Sequence, residues 1–191
     1  MNPYSQSSPV LHDGIVLTTP RMVLRATVEA DISQLYQKIF GVPEVMDWVF
    51  AGSALSLADS ESFIRANFNF KAAPTGLSVL ADKASGEVAG FAGLNPCQGL
   101  SADDLEFGFV LAREAWGMGL ATEIGLAQIA FGFEQLGRTR LLALASARNV
   151  ASISTLEKLG MRYHLDVTPP GRSPRRVYCI GADQWRHRSS W

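Results

Sequence analysis

Arg113-Glu-Ala-Trp-Gly-Met-Gly-Leu-Ala-Thr-Glu123 is the stretch on which the reading of this chain turns. It joins an apolar run, 104–111 (DLEFGFVL), to an amphipathic one, roughly 119–136, so it is read as the link between a strand and a helix. Gly117 and Gly119 let the backbone turn tightly and keep Cβ atoms away from anything that approaches. The helix that follows exposes its first unpaired N–H groups. Together these features suit an anionic diphosphate. A turn followed by a helix start uses the same residues, so the loop alone does not decide. Two other phosphate motifs are excluded. A Walker loop needs Gly-Lys-Ser/Thr, which is absent. A dinucleotide fingerprint needs Gly or Ala three residues after the second glycine, where Thr122 stands, and no acidic residue ends a following strand at the right distance.

The pattern around the loop is mixed. Upstream, Ile15 to Leu24 suits a strand with a turn or bulge at Thr18-Thr19-Pro20. Residues 28–40 place Ile32, Leu35, Tyr36 and Ile39 at helical spacing, ended by Gly41. A second helix is expected over about 57–71. Residues 76–82 and 87–94, separated by Lys-Ala-Ser-Gly, read as a hairpin. Gly108 within 104–111 marks a bulge or a close backbone approach. Downstream come an apolar strand at 139–146, a short helix at 150–159 closed by Gly160, and strands at 161–168 and 175–181. This order predicts one mixed α/β (α+β) domain over 14–184, with a mostly antiparallel sheet of about seven strands and about four helices. Residues 1–13 are read as a loose arm and 185–191 as a tail.

Composition narrows the function classes. The 191 residues are 47% hydrophobic and 18% charged, with a formal net charge of −1. That excludes disorder, collagen and coiled coil for the bulk of the chain, and it is no basic nucleic-acid footprint. Cys97 and Cys179 are the only cysteines and make neither a disulfide framework nor a zinc site, so no metal is expected. The N-terminal stretch is polar, without the apolar core of a signal peptide. No apolar run approaches the ~20 residues of a membrane span, so a cytoplasmic protein without a membrane partner is expected.

Against this background Trp116-Gly117-Met118-Gly119-Leu120-Ala121 resembles the acetyl-CoA loop of the GCN5-related N-acetyltransferases (GNAT), which reads Gln/Arg-x-x-Gly-x-Gly/Ala. Trp116 stands where Gln or Arg is usual. Trp116 through Glu123 is similar to the W-G-x-G-x-A-T-E form of the Rim-type branch, which acetylates ribosomal-protein N-termini. Three more segments agree in order. Leu17-Thr18-Thr19-Pro20-Arg21-Met22-Val23-Leu24-Arg25 looks like that branch's L-x-T-x-R-L-x-L-R opening. Glu106-Phe107-Gly108-Phe109 looks like its E-I-G-Y strand. Asn149-Val150-Ala151-Ser152, followed by Leu156-Glu157-Lys158-Leu159-Gly160-Met161, looks like its N-x-x-S…L-E-K-L-G-F segment. The resemblance covers about residues 15–183.

The resemblance implies a sheet splayed in the middle, with the pantetheine arm of acetyl-CoA between two strands. Phe107–Leu111, including Phe109, Val110 and Leu111, would offer backbone groups to the arm, opposite Leu141–Ser146. The pyrophosphate would rest on backbone N–H groups of Met118, Gly119, Leu120, Ala121 and Thr122. Trp116 would pack on the adenosine or on the helix; Arg113 is a phosphate contact or a solvated surface residue. Asn149 is a helix N-cap and, by the resemblance, also a partner of the cofactor arm. Direct transfer needs a group to take the ammonium proton and one to stabilise the leaving thiolate. Glu106 is the candidate base; the alternatives are a solvent-facing acid or an electrostatic anchor for the amine. Ser152 is the candidate partner of the sulfur or a local cap, with Tyr163 as the weaker option. A backbone N–H at position 110 is expected to polarise the thioester carbonyl. Asp103 and Asp104 attract a cationic substrate or solvate the loop. Trp48, Phe50 and Phe63 line the substrate side or belong to the core.

The expected activity is transfer of acetyl from acetyl-CoA to a primary amine, either a small molecule or a peptide N-terminus, by a monomer or homodimer. A rival class is an acyl-CoA sensor or scaffold without turnover, indifferent to Glu106→Gln. A nucleotide binder would take NAD or ATP in place of CoA, and the missing motif features argue against it.

Overall fold

The computed structural model describes residues 14–50, 52–97, 104–168 and 174–188. The arm at 1–13 and Asp103 lie outside the described residues. Eight strands form one sheet in the order β1-β2-β3-β4-β5-β6-β8-β7. They are β1 (Ile15–Thr18), β2 (Met22–Arg25), β3 (Ser78–Asp82), β4 (Val88–Pro96), β5 (Leu105–Leu111), β6 (Arg140–Ala145), β7 (Arg162–Val167) and β8 (Arg175–Gly181). Every neighbouring pair is antiparallel except β5 and β6.

The count exceeds the expected seven because Ile15–Leu24 is not one bent strand. Thr19 closes a turn there: its hydroxyl accepts from the Met22 N–H at 2.9 Å, and its own N–H donates to the Met22 carbonyl at 2.9 Å. The run therefore folds back as a β1–β2 hairpin. The helices are α1 (Asp31–Leu35), α2 (Pro43–Met46), α3 (Leu57–Asn67), α4 (Leu120–Ala130), α5 (Val150–Lys158) and α6 (Ala182–Arg188). α1 and α4 each run on into a wider π turn, Tyr36–Phe40 and Phe131–Gln135. Both expected helices thus keep their length and loosen at the end. α2 and α6 were not expected. α6 occupies the place where the tail was read to begin.

Residues paired across a sheet point to the same face. Leu24 opposite Leu80, Leu94 opposite Phe107 and Ala143 opposite Tyr178 face one core, which α4 and α5 cover with Leu120, Ile124, Ile129, Leu156 and Leu159. Val79 opposite Phe91, and Phe91 opposite Val110, face the other, covered by α1 to α3 through Leu35, Phe40, Met46 and Ile64. Buried Asp31 starts α1: it accepts from the Val28 N–H at 2.8 Å and from both terminal nitrogens of Arg25 at 2.7 and 2.8 Å. No helix among the described residues is long and apolar enough to cross a membrane.

Candidate active site

β5 and β6 are in register at only two positions, Leu105 with Leu141 and Glu106 with Leu142. Beyond them the strands part, and the sheet opens between Phe107–Leu111 and Ala143–Ala145. The β4–β5 ladder decides which groups face the opening. Cys97 donates to Asp104 and Ala112 donates to Ala89, each at 2.9 Å, so alternate residues of β5 in that series bond to β4. Glu106, Gly108 and Val110 therefore spend their backbone groups on Asn95, Gly93 and Phe91. Phe107, Phe109 and Leu111 turn theirs away from β4; the Glu106–Leu142 pairing uses the Phe107 N–H, so the Phe107 carbonyl and both groups of Phe109 are left to the opening. The Leu111 carbonyl is already taken by the Trp116 indole N–H at 2.9 Å. The register through Gly108 is unbroken, so the bulge considered there is absent, and alternation aims the Val110 N–H at Phe91 rather than at the opening. Gln128 on α4 is fully buried and donates to the Gly108 carbonyl at 3.3 Å; its own carbonyl oxygen has no partner among the described residues.

The Gly-Met-Gly loop stands at the end of β5. Gly117 (φ +73°) and Gly119 (φ +76°) are both left-handed, and Gly119 is the residue from which α4 starts. A Cβ on Gly117 or on Gly108 would meet no atom within 4 Å, so both look onto open space. Arg113 is exposed, in keeping with the solvated reading, and lies over the Trp116 ring, 4.9 Å from its centre, as a cation–π partner. Arg21, in the β1–β2 turn, reaches the loop from across the molecule. Its Nη1 donates to the Met118 carbonyl at 2.9 Å and its Nε to Glu123 Oε2 at 2.7 Å. The Arg21 N–H and the Thr19 hydroxyl both donate to Glu123 Oε1, at 2.9 and 2.5 Å. Burial pushes the Glu123 carboxyl up, but these bonds from Thr19 and Arg21 outweigh it and leave it below the ordinary carboxylate range.

Glu106 lies at the mouth of the opening, half-buried, on the sheet face of α1 to α3, since it shares a face with Leu142 and Cys179. Its charge reaches Cys97. The Cys97 thiol is pushed up to about 11, first by burial, then by Glu106 and Asp104. Asp104 does not serve as a free attractant: it is buried and binds Arg140 through two bonds of 2.6 Å. The Asn149 side chain accepts from the Ser152 N–H at 3.0 Å and caps α5, as its position suggested. The Ser152 hydroxyl is half-buried and has no hydrogen-bond partner among the described residues. Tyr163 is not brought to the opening. β8 separates β7 from β6, two strand spacings or about 10 Å, and Tyr163 stands 54% exposed against Tyr178. The register shifts between Tyr163 and Leu165, so His164 falls on an irregularity and the two do not alternate as in a regular strand.

On the α1–α3 side, Phe50 and Phe63 join Phe40, Phe68 and Phe91 in one aromatic cluster, with the Phe50 and Phe63 rings 4.8 Å apart. Trp48 is 37% exposed. Arg175, at the start of β8, donates to the Trp48 and Phe50 carbonyls at 3.4 and 3.1 Å, tying this roof to the far half of the sheet. Sequence reasoning gave no role to Arg21, Thr19, Glu123, Gln128 or Arg175. The signal for the first three was present: a Thr-x-Arg and a Thr-Glu, each at the edge of an apolar element, with charges that need partners.

Comparison with known proteins places this geometry. The acetyltransferase (GNAT) domain matches residues 21–162, and the chain belongs to that family. It is a GNAT acetyltransferase. It is 32% identical over 147 residues to YkkB of Bacillus subtilis, an uncharacterised protein, covering 77% of this chain and 85% of that one. Among solved structures, a GNAT-family acetyltransferase of Bacillus anthracis superposes with a TM-score of 0.74 at 19% identity, over 87% of this chain and 98% of that one. AAC(6')-Ib, solved in complex with ribostamycin and coenzyme A, gives 0.69 at 20% identity over 86% and 96%.

Proposed function

We propose that the protein transfers acetyl from acetyl-CoA directly to a primary amine, as a member of the Rim-type branch. The observation that carries this reading is the β5–β6 opening, with strand backbone left unpaired beside a left-handed Gly-Met-Gly loop and a carboxylate at its mouth. The residues present fit the donor. Phe109 offers its N–H and C=O, and Phe107 its C=O, to an amide-bearing arm laid in as an extra strand. The start of α4 offers N–H groups to a diphosphate, and neither Gly108 nor Gly117 fills the space above it. When bound, acetyl-CoA supplies an activated acyl thioester with a thiolate leaving group. Glu106 accepts the ammonium proton, directly or through water, from the α1–α3 side. The Ser152 hydroxyl, with its hydrogen still to give, donates to the sulfur from the α5 side. The backbone N–H of Phe109, in place of Val110, polarises the acyl oxygen. The branch assignment is supported by Thr19, Arg21 and Glu123, the matching motif residues, which bond to one another. AAC(6')-Ib, bound to an aminoglycoside and coenzyme A, supports an amine acceptor, and a peptide N-terminus offers the same group.

A calorimetric titration with acetyl-CoA is the test, followed by a screen of amines and N-terminal peptides by thiol release. One-site saturable binding with thiol released in step with acetylated amine is expected. Absence of binding at millimolar donor, or binding with no turnover on any amine, overturns the reading.

A further inference from the structure

We infer that Arg21, held by Thr19 and Glu123, is a positioning group for the donor's pyrophosphate, although it stands about a hundred residues before the loop it serves. The inference rests on the donor reading above and adds the residue that orients the loop. The argument begins with one peptide plane. Arg21 Nη1 holds the Met118 carbonyl at 2.9 Å. In a trans peptide the C=O and the next N–H point in opposite directions, and there is no cis peptide bond among the described residues. Fixing the Met118 carbonyl toward Arg21 therefore fixes the Gly119 N–H away from it, toward the start of α4, where the anion is received. Two glycines in succession of this kind leave the loop many other conformations. The single bond from a distant strand turn selects one.

Charge gives the second half of the argument. Glu123 is the acidic residue in the first turn of α4. A carboxylate there suits the helix dipole but opposes a second anion at the same helix end. Arg21 meets it with both its side-chain Nε and its backbone N–H, and Thr19 adds a third bond. The acid is spent inside the clamp. The outer Nη2 of Arg21 has no hydrogen bond among the described residues and lies 3.7 Å from where a Cβ of Gly119 would be, so the clamp's positive side borders the loop. Arg21 touches neither the acyl group nor the acceptor amine. Its effect belongs in donor binding and not in the chemical step.

The test measures acetyl-CoA affinity by calorimetry, and KM and kcat with an accepted amine. Arg21→Ala is expected to raise Kd and KM for acetyl-CoA about tenfold or more, the scale of one lost charge-assisted bond, with kcat within about twofold of the parent. Arg21→Lys keeps the charge but replaces the separate Nε and Nη1 donors to Glu123 and Met118 with a single point donor, so it recovers only part of the loss. Adding Glu123→Gln to Arg21→Ala relieves the exposed carboxylate and recovers affinity. An Arg21→Ala protein that binds as the parent does, one that loses kcat rather than affinity, or a double variant as weak as the single one overturns the inference. Should Arg21→Ala fail to fold, Arg21→Lys alone carries the test: acetyl-CoA binding several-fold weaker than the parent with kcat within about twofold is expected, and binding as tight as the parent overturns it. A parent protein that binds no acetyl-CoA overturns the functional reading and the inference with it. A parent that binds while Arg21→Ala binds equally well overturns the inference alone.

Discussion

The two faces of the β5–β6 opening are built on different principles. On the α4–α5 side the groups proposed to meet the donor are backbone N–H and C=O groups, aimed by a strand alternation, two left-handed glycines and a long-range ion pair. On the α1–α3 side they are side chains: a half-buried carboxylate on the same sheet face as a cluster of packed phenylalanines tied down by Arg175. Backbone recognition tolerates most side-chain changes and breaks when a peptide is turned. Side-chain recognition tolerates backbone drift and breaks when one group is removed. Donor binding and acceptor chemistry are therefore expected to separate cleanly under mutation.

Glu106→Gln is the strongest test of that separation. It removes the proposed proton acceptor and leaves the loop intact, so kcat is expected to fall by about a hundredfold to ten-thousandfold, the usual worth of a positioned general base, while acetyl-CoA affinity stays within about twofold. A parallel loss of donor affinity would show that the two faces are one site energetically. Phe40→Ala attacks the roof instead. Phe40 is fully buried, with its ring 5.5 to 6.3 Å from those of Phe50, Phe63, Phe68 and Phe91. Its truncation should cost about 3–5 kcal/mol of stability. Scanning calorimetry should register this as a fall of about 6–20 °C in Tm. The surviving folded protein should still bind acetyl-CoA as the parent does.

The same contrast explains what was legible in the sequence. The Gly-Met-Gly loop, the strand at 104–111 and the Asn149 cap could be found because backbone sites leave short local patterns. The clamp could not, because Arg21 and Glu123 are neighbours only after β1 and β2 fold back, and a Thr-Thr-Pro-Arg turn reads locally as a kink in one strand. A bulge at Gly108 would have turned the Val110 N–H toward the opening; with the register unbroken, the neighbouring parity of residues faces it. Asp104 looked solvated because its partner, Arg140, belongs to the strand on the far side of β5. The roof was the least legible part, since a phenylalanine that packs in a core and one that lines a cleft have the same spacing.

Ser152→Ala is expected to be milder than Glu106→Gln. A thiolate is a stable leaving group, so one hydroxyl donor is worth about tenfold in kcat, with donor affinity unchanged because the Asn149 cap uses the Ser152 backbone and not its hydroxyl. A loss as large as that of Glu106→Gln would move the critical proton from the acceptor side to the sulfur side.

The smallest effect is also the most direct report on Glu106. Cys97 is buried, and its thiol is pushed up to about 11 by burial first and by the charges of Glu106 and Asp104 after it. The folded value is raised, so the neutral thiol's contribution to stability is whole below the unfolded thiol's pKa, near 8.5, and is lost as pH rises through the folded value. Cys97→Ala should flatten the stability profile in that alkaline window and nowhere below it. Glu106→Gln removes one of the two negative charges that face Cys97 and leaves Asp104 and the opposing Arg140, so thiolate absorbance in that variant should rise at a lower pH than in the parent. An unmoved titration would mean that Glu106 does not hold its negative charge toward Cys97, and a carboxylate turned elsewhere cannot take a proton at the mouth of the opening. A shift without any loss of kcat would leave Glu106 charged and correctly placed but restricted to attracting the amine, with deprotonation left to water.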